Sequence, residues 1–213
     1  MSVTAALAEQ RVCLSDVSWN VYVSLSDGSR VRRSIMAYDR GVLEIMSPGV
    51  RHEEAKHLIS RMIETWAEVR EIDIRGVASA TFRREDVQQG FEGDEAYYVA
   101  NAQQVRGLEE IDLLIHPAPD LVIEIDITGH SMRKFAIYES LGVSEVWIFD
   151  GQSATVYIAD SSGRLAIATD SVSLQGFPLL TIGTVIQTAH EHGETTAIRD
   201  FRRSIIPSTT EQS

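Results

Sequence analysis

Three carboxylates are separated by even numbers of positions in the segment 120–127, DLVIEIDI. Asp120, Glu124 and Asp126 fall on one face of a predicted strand, because strand side chains alternate between the two faces of a sheet. The other face is entirely apolar, with Leu121, Ile123, Ile125 and Ile127. The acidic face can offer oxygen ligands to a hard divalent cation, or it can be the solvated side of an ordinary sheet. The alternation alone leaves both interpretations open.

A lysine follows this strand closely. The chain has only two lysines, Lys56 and Lys134, among 19 basic residues. A lysine can shift its pKa and contact a water nucleophile, whereas an arginine keeps its proton. Lys134, Tyr138 and Leu141 share one stripe of a predicted helix, so the ammonium group needs an anionic partner beside the acidic strand face. A surface lysine whose aliphatic part covers apolar residues fits the same spacing.

The elements that must position these groups follow one another directly. A turn at Gly129 and an N-cap at Ser131 predict a helix over 132–141, which ends at Gly142. A second apolar strand, 145–150, comes next. Strand, helix and strand in this order predict a right-handed parallel crossover. Sheets of this kind carry their sites at the carboxyl ends of strands.

The chain before the acidic strand predicts several further elements. Residues 1–16 predict a loosely held N-terminal arm, and 17–25 fits either helix or strand, of which we favour helix. The segments 31–38 and 42–46 flank an Asp-Arg-Gly turn and predict a hairpin. Apolar residues at helical spacing predict the longest helix of the chain over 51–70.

The remaining segments complete a single domain over 17–206, followed by a polar tail, 207–213. The predicted elements are two short strands in 72–82 broken at Gly76, a loop over 84–93, a strand over 94–99, a connection over 101–119 with a strand-like patch at 111–115, a hairpin of 154–158 with 165–169, and helices over 181–190 and 194–205. No internal repeat accompanies them.

Composition excludes several classes of protein. A single cysteine, Cys13, excludes an intramolecular disulfide and a cysteine-based zinc site. The absence of an apolar run of about 20 residues and of a signal segment predicts a soluble, cytoplasmic protein with no membrane partner. The net charge of −12 argues against a broadly basic nucleic-acid surface. It leaves room for a local basic cleft.

As an ordered set, several motifs resemble a known family. These are LEIMSP at 43–48, His52 in the helix after it, EGDEAYYV at 92–99, PDLVIEIDIT at 119–128, and Lys134 with Tyr138 before GVSEVWIFD at 142–150. Together they are similar to the bacterial restriction endonuclease-like family of the PD-(D/E)XK nuclease superfamily, over residues 17–157. The resemblance implies an α/β fold with a mixed central sheet flanked by helices, a restriction endonuclease-like core, an N-terminal hairpin and a C-terminal helical extension. It also implies a metal-dependent endonuclease that hydrolyses phosphodiester bonds in DNA.

The resemblance assigns roles residue by residue. Asp94 and Glu124 match the two acids that hold Mg²⁺ or Mn²⁺, and Lys134 matches the catalytic lysine. We expect His52, Glu53, Asp126 and Tyr138 to support this site. The superfamily usually has its lysine two residues after the second acid, where this chain has Asp126. Many relatives have proline before the first acid, where this chain has Gly93.

Two other functions compete with DNA cleavage. The chain can be an inactive descendant that keeps the fold as a binding or assembly module, or the same metal site can act on RNA or a nucleotide. The expected partner of the nuclease is DNA in a local cleft. A homodimer is expected by analogy, because nucleases that cut both strands usually pair two sites.

Overall fold

The computed structural model describes residues 9–28, 34–127 and 134–206, and it has a mixed α/β fold. Its strands are β1 (Gln10–Leu14), β2 (Ile35–Asp39), β3 (Val42–Ser47), β4 (Arg75–Gly76), β5 (Thr81–Arg84), β6 (Gln89–Glu92), β7 (Glu95–Tyr98), β8 (Leu121–Ile125), β9 (Glu145–Phe149), β10 (Ala154–Ala159) and β11 (Leu165–Ala168). Its helices are α1 (Trp19–Asp27), α2 (Val50–Arg70), α3 (Ala102–Val105), α4 (Phe135–Leu141), α5 (Ile182–His192) and α6 (Glu194–Ile205). Two sheets flanked by helices therefore confirm the predicted fold class.

The first sheet is antiparallel, with strand order β1-β3-β2-β6-β5. The predicted hairpin is β2 and β3, and its residues 31–33 lie outside the described residues. Two predictions here were wrong. Residues 10–14 of the predicted arm form β1, which is hydrogen-bonded along β3. The predicted loop 84–93 contains β6, which is buried along its length because it pairs with β2 on one side and β5 on the other.

The second sheet is mixed, with strand order β11-β10-β9-β8-β7-β4. The strands β8 and β9 are parallel and are joined through α4, which confirms the predicted crossover. The predicted turn at Gly129 and cap at Ser131 lie outside the described residues. The predicted terminal hairpin is β10 with β11. Gly76 belongs to β4, so the break between the two short strands comes after it and not at it.

One predicted strand does not form. Residues 111–115 make a turn in which the Asp112 carboxylate accepts the Leu114 amide at 2.9 Å, and the Asp112 carbonyl accepts the Ile115 amide at 3.0 Å. Leu114 and Ile115 are 67% and 76% exposed. The apolar run resembled a strand, but local hydrogen bonds to Asp112 close it into a turn instead.

Helix α2 is the long predicted helix, and it covers one face of β8. Its buried residues Leu58, Ile59, Met62 and Trp66 share a core with the apolar side of β8 and with α5 and α6. The predicted helices over 17–25, 181–190 and 194–205 are confirmed as α1, α5 and α6. None of the helices in the described ranges combines the length and the apolar character needed to cross a bilayer.

The acidic face of β8 is also covered. Asp120, Glu124 and Asp126 are 6%, 1% and 5% exposed. Val122 lies on the same face as these carboxylates. It packs in a second core with Phe91 of the first sheet and Tyr138 of α4. The strand is therefore buried on both faces, as is usual for a strand in a parallel pair, and the interpretation of a solvated acidic face is wrong. Carboxylates buried in this way need partners.

Candidate active site

Glu124 lies in β8 and is held by two residues from α4. The Lys134 ammonium donates to Glu124 Oε2 at 2.8 Å, and the Tyr138 hydroxyl donates to Oε1. Lys134 is the residue before the first turn of α4, and Tyr138 follows one turn later, so both side chains reach the same carboxylate. The predicted stripe of Lys134, Tyr138 and Leu141 is buried as expected, at 4%, 0% and 4% exposure.

The charges of this pair follow from burial and mutual attraction. Burial raises the pKa of Glu124, and Asp94 raises it further, while Lys134 lowers it. Burial opposes the charge of Lys134, but Glu124 and Asp94 outweigh that effect and raise the pKa of its ammonium group. Burial beside Glu124 also raises the pKa of Tyr138 well above its usual range. Lys134 is therefore a cation that can orient a water or offset negative charge. Accepting a proton is not a role that suits it in this state.

Asp94 lies immediately before β7 and links three elements. Its Oδ2 accepts the backbone amide of Ile125 in β8 at 2.7 Å, and its Oδ1 is 2.7 Å from Nε2 of His52 in the first turn of α2. Burial lowers the pKa of His52, but Asp94 and Glu9 outweigh burial and raise it. The predicted supporting residue His52 is thus a direct hydrogen-bond partner of Asp94, with 2% of its surface exposed.

Glycine at position 93 has a packing reason. A Cβ atom there would lie 2.9 Å from Val122 Cγ1 and 3.8 Å from Glu124 Oε1. The first distance is shorter than a side chain can tolerate without movement of its neighbour. The lack of a side chain at Gly93 therefore lets the segment before Asp94 approach Val122 of β8 closely.

Further charged residues, which the sequence patterns did not predict, lie beside this site. In β1, Arg11 Nε donates to Glu9 Oε1 at 2.6 Å, and its Nη1 donates to Glu44 Oε1 of β3 at 2.8 Å. Glu9 Oε2 is 3.3 Å from His52 Nδ1, and the charge of Glu44 raises the pKa of Lys134 after the larger effects of burial, Glu124 and Asp94. The sequence pattern of residues 9–11 does not predict this position, because it depends on the long-range pairing of β1 with β3. Glu44 lies within the LEIMSP motif at 43–48.

The other two predicted supporting residues differ in position. Asp126 is buried, its amide donates to the Phe149 carbonyl at 2.8 Å, and its charge acts on Arg11. Glu53 does not join the cluster through any contact among the described residues. Its carboxylate pairs with Lys56 at 2.8 Å and is 44% exposed.

The cluster suits a cation, although it does not form a complete cage. Within residues 9–28, 34–127 and 134–206, no group of three or more His, Cys, Asp or Glu side chains is arranged to hold a metal ion. Asp94 and Glu124 are the carboxylates that would hold Mg²⁺, an ion that usually keeps several waters and takes few protein ligands. In the described part of this cluster the carboxylates outnumber the cations Arg11 and Lys134; the carboxylates are those of Glu9, Glu44, Asp94, Glu124 and Asp126. The donor set and its excess negative charge both fit a hard divalent ion.

Asp120 has a structural role instead. Its carboxylate accepts the backbone amides of Val99 at 2.7 Å and Asn101 at 2.9 Å, and the Asn101 side-chain amide at 2.6 Å. We expect Asp120→Ala to lower the free energy of unfolding by about 1–3 kcal/mol, because it leaves buried donors unpaired. Urea unfolding measures this loss. Unchanged stability would contradict the structural role.

A family model named Uma2, described as "Putative restriction endonuclease", matches residues 22–186. A crystal structure of an Anabaena variabilis protein, described as a putative nuclease belonging to DUF820, is similar with a TM-score of 0.52 and 12% identity, and covers 85% of this chain and 99% of that one. At this identity the likeness shows the fold alone. No curated protein matches the sequence. Because the family model spans most of the chain, the protein belongs to the Uma2 family of restriction endonuclease-like proteins.

Proposed function

We propose that this protein is an endonuclease that hydrolyses phosphodiester bonds in DNA with Mg²⁺ or Mn²⁺. The observation that carries the proposal is the buried contact of Glu124 with Lys134 at 2.8 Å, beside Asp94. It brings two carboxylates and an ammonium group together in a member of a restriction endonuclease-like family. Phosphodiester hydrolysis uses this combination of a hard cation held by oxygen ligands and a nearby positive charge.

Each residue has a distinct task in the proposed reaction. Asp94 and Glu124 would hold the divalent ion, which supplies Lewis acidity at the phosphate when bound. Lys134 orients the attacking water and offsets the negative charge that develops on the phosphate. Tyr138 fixes the carboxylate of Glu124, and His52 fixes that of Asp94. Such supporting hydrogen bonds commonly change metal affinity or activity by 10- to 100-fold.

An inactive binding module is the second candidate, and one observation favours it. Both oxygens of Glu124 already accept hydrogen bonds, and the side chains of Lys134 and Glu124 are 5% and 1% exposed. A divalent ion can reach this carboxylate only if neighbouring residues move aside. A protein that never opens here would keep the fold without the chemistry.

Nicking of supercoiled plasmid DNA separates the two candidates. The purified parent protein should convert supercoiled plasmid to open circles with Mg²⁺ or Mn²⁺ and not with EDTA. Asp94→Asn and Glu124→Gln should each remove that activity, since they keep the side-chain shape and lose the charge. No nicking by the parent with either metal, or full nicking by both variants, would contradict the nuclease. RNA and nucleotide substrates assayed in parallel show whether the same site prefers another phosphoester.

Metal binding can be measured without any substrate. Mutual repulsion of Asp94 and Glu124 destabilises the apo protein, so a bound divalent ion should relieve it. We expect millimolar Mg²⁺ or Mn²⁺ to raise the Tm of the parent; an ion at ten times its Kd stabilises a protein by about 1.4 kcal/mol. Glu124→Gln should lose the shift.

Glu110→Gln is the matched control. It removes one exposed carboxylate that has no contact with Glu124 among the described residues. Its Tm should rise with Mg²⁺ as the parent's does. Equal shifts in all three proteins would mean that the ions act on the overall charge of −12 and not on this site.

A further inference from the structure

Arg11 carries a donor that the fold does not use. Its Nε and Nη1 are bound to Glu9 and Glu44, and its side chain is 12% exposed. The third nitrogen, Nη2, is buried and has no hydrogen-bond partner in the described part of the chain. An unpaired buried donor is costly. Two carboxylates already neutralise the charge of the guanidinium group, so what Nη2 lacks is a hydrogen-bond acceptor and not a counterion. The free nitrogen therefore calls for an acceptor that is absent from the chain's own described residues.

The position of Arg11 decides what that acceptor is. The guanidinium is connected to Asp94 through Glu9 and His52, at 2.6, 3.3 and 2.7 Å in succession. Its other partner, Glu44, acts electrostatically on Lys134 and Tyr138, and Asp126 acts on Arg11 itself. The free Nη2 thus belongs to the same cluster as Asp94, Glu124 and Lys134. In the proposed reaction, the group with oxygen acceptors that enters this cluster is the phosphate of the substrate.

We propose that Arg11 Nη2 binds a non-bridging oxygen of the phosphodiester, which makes the N-terminal strand β1 part of the active site. This inference rests on the proposed function. Arginine suits the task because its planar group can keep two carboxylate contacts and still present a further donor to a phosphate oxygen. Lysine in its place would present a single ammonium. The Nη2 N–H of Arg11 would then donate a hydrogen bond to a phosphate oxygen on which negative charge develops.

A purely structural Arg11 would behave differently. In that case it only ties β1 to β3, and its loss would loosen the strand that carries Glu9, with effects on stability and on Mg²⁺ binding alike. The substrate role predicts that Mg²⁺ binding survives while phosphate binding and turnover fall. These two readouts separate the roles.

The test compares Arg11→Lys and Arg11→Gln with a control, Arg40→Gln. Arg40 is a mostly exposed arginine in the turn between β2 and β3, and it pairs with Asp39. We expect Arg11→Lys and Arg11→Gln to lower kcat for plasmid nicking by about 100-fold, and Arg40→Gln to leave it unchanged. Inorganic phosphate in the presence of Mg²⁺ should raise the Tm of the parent and of Arg40→Gln, and not that of either Arg11 variant. The Tm shift caused by Mg²⁺ alone should persist in all four proteins.

The outcomes distinguish this inference from the function on which it rests. Nicking at the parental rate by Arg11→Lys, with an unchanged phosphate shift, overturns the role of Arg11 and leaves the nuclease standing. Loss of the Mg²⁺ shift in Arg11→Lys also overturns it, since the residue would then be structural. If the parent does not nick DNA, the proposed function fails, and the phosphate shift still decides whether Arg11 binds a phosphate oxygen. Arg11→Lys keeps a positive charge between Glu9 and Glu44, so the test survives if Arg11→Gln does not fold.

Discussion

Replacing Lys134 with methionine should lower Mg²⁺-dependent plasmid nicking by about 100-fold or more while the protein stays folded. The ammonium group contacts Glu124 at 2.8 Å and lies in the field of Asp94, so its loss removes the positive charge beside the proposed reaction centre. Methionine keeps most of the packing volume of the lysine side chain. Single-turnover nicking rates at saturating protein measure the effect.

The other lysine provides a matched control. Lys56 pairs with exposed Glu53, and Lys56→Met removes the same charge from α2. It should nick DNA at the parental rate. Parental activity in Lys134→Met itself would show that the lysine only neutralises Glu124 and has no part in catalysis.

A rescue variant tests the departure from the usual motif. Asp126 lies two residues after Glu124, directly after β8, and is buried; the superfamily usually has its lysine at this position. The double change Asp126→Lys with Lys134→Met should recover measurable nicking, because a lysine there reaches the same water from β8. Recovery will be partial, since the new cation lies near Arg11, which Asp126 now stabilises. No recovery in a folded double variant would mean that the geometry requires a lysine on α4.

Replacing Trp66 with alanine should cost about 3–5 kcal/mol of unfolding free energy, the largest stability effect that we expect from one substitution. Trp66 is 3% exposed on α2, and its ring packs edge-on against Phe177 with centroids 5.7 Å apart. It belongs to the core between α2, β8 and the C-terminal helices. Removing it leaves a cavity that these rigid elements cannot close. Guanidinium unfolding, analysed with a common m value, measures the loss.

Two further variants interpret that result. Trp66→Phe should cost much less than Trp66→Ala, because it keeps an aromatic ring and removes an indole nitrogen that is buried without a hydrogen-bond partner in the described ranges. Leu180→Ala should cost almost nothing, since Leu180 is 95% exposed. A loss below about 1 kcal/mol for Trp66→Ala would show that this face of α2 contributes little to the core.

Local patterns in the sequence were enough to predict the elements of the central unit. Alternation over β8, helical spacing with a glycine at position 142, and the apolar run of β9 predicted a parallel crossover, and the structure contains it. The helical spacing of α2 predicted its buried face. These signals depend on residues a few positions apart, which is why periodicity and caps report them reliably. The ordered motifs likewise predicted the family.

Contacts between distant segments decided the rest. Strand β6 contains Gln89 and Gly90 and has no strand-like sequence, yet it is buried because β2 and β5 pair with both of its edges. The prediction of an arm at β1 was wrong for a similar reason, since its pairing with β3 is a long-range contact. The propensity of a short polar segment is weak, and tertiary pairing overrides it.

The candidate site shows the same division. Local patterns predicted that Glu124 and Lys134 lie on adjacent elements, ten positions apart, and that their types suit phosphate chemistry. Long-range packing buries the acidic face of β8, brings His52 to Asp94 from 42 positions away, and pairs Arg11 with Glu44 beside the cluster. Burial and charge pairing depend on which elements pack together, and no local pattern of residues carries that information.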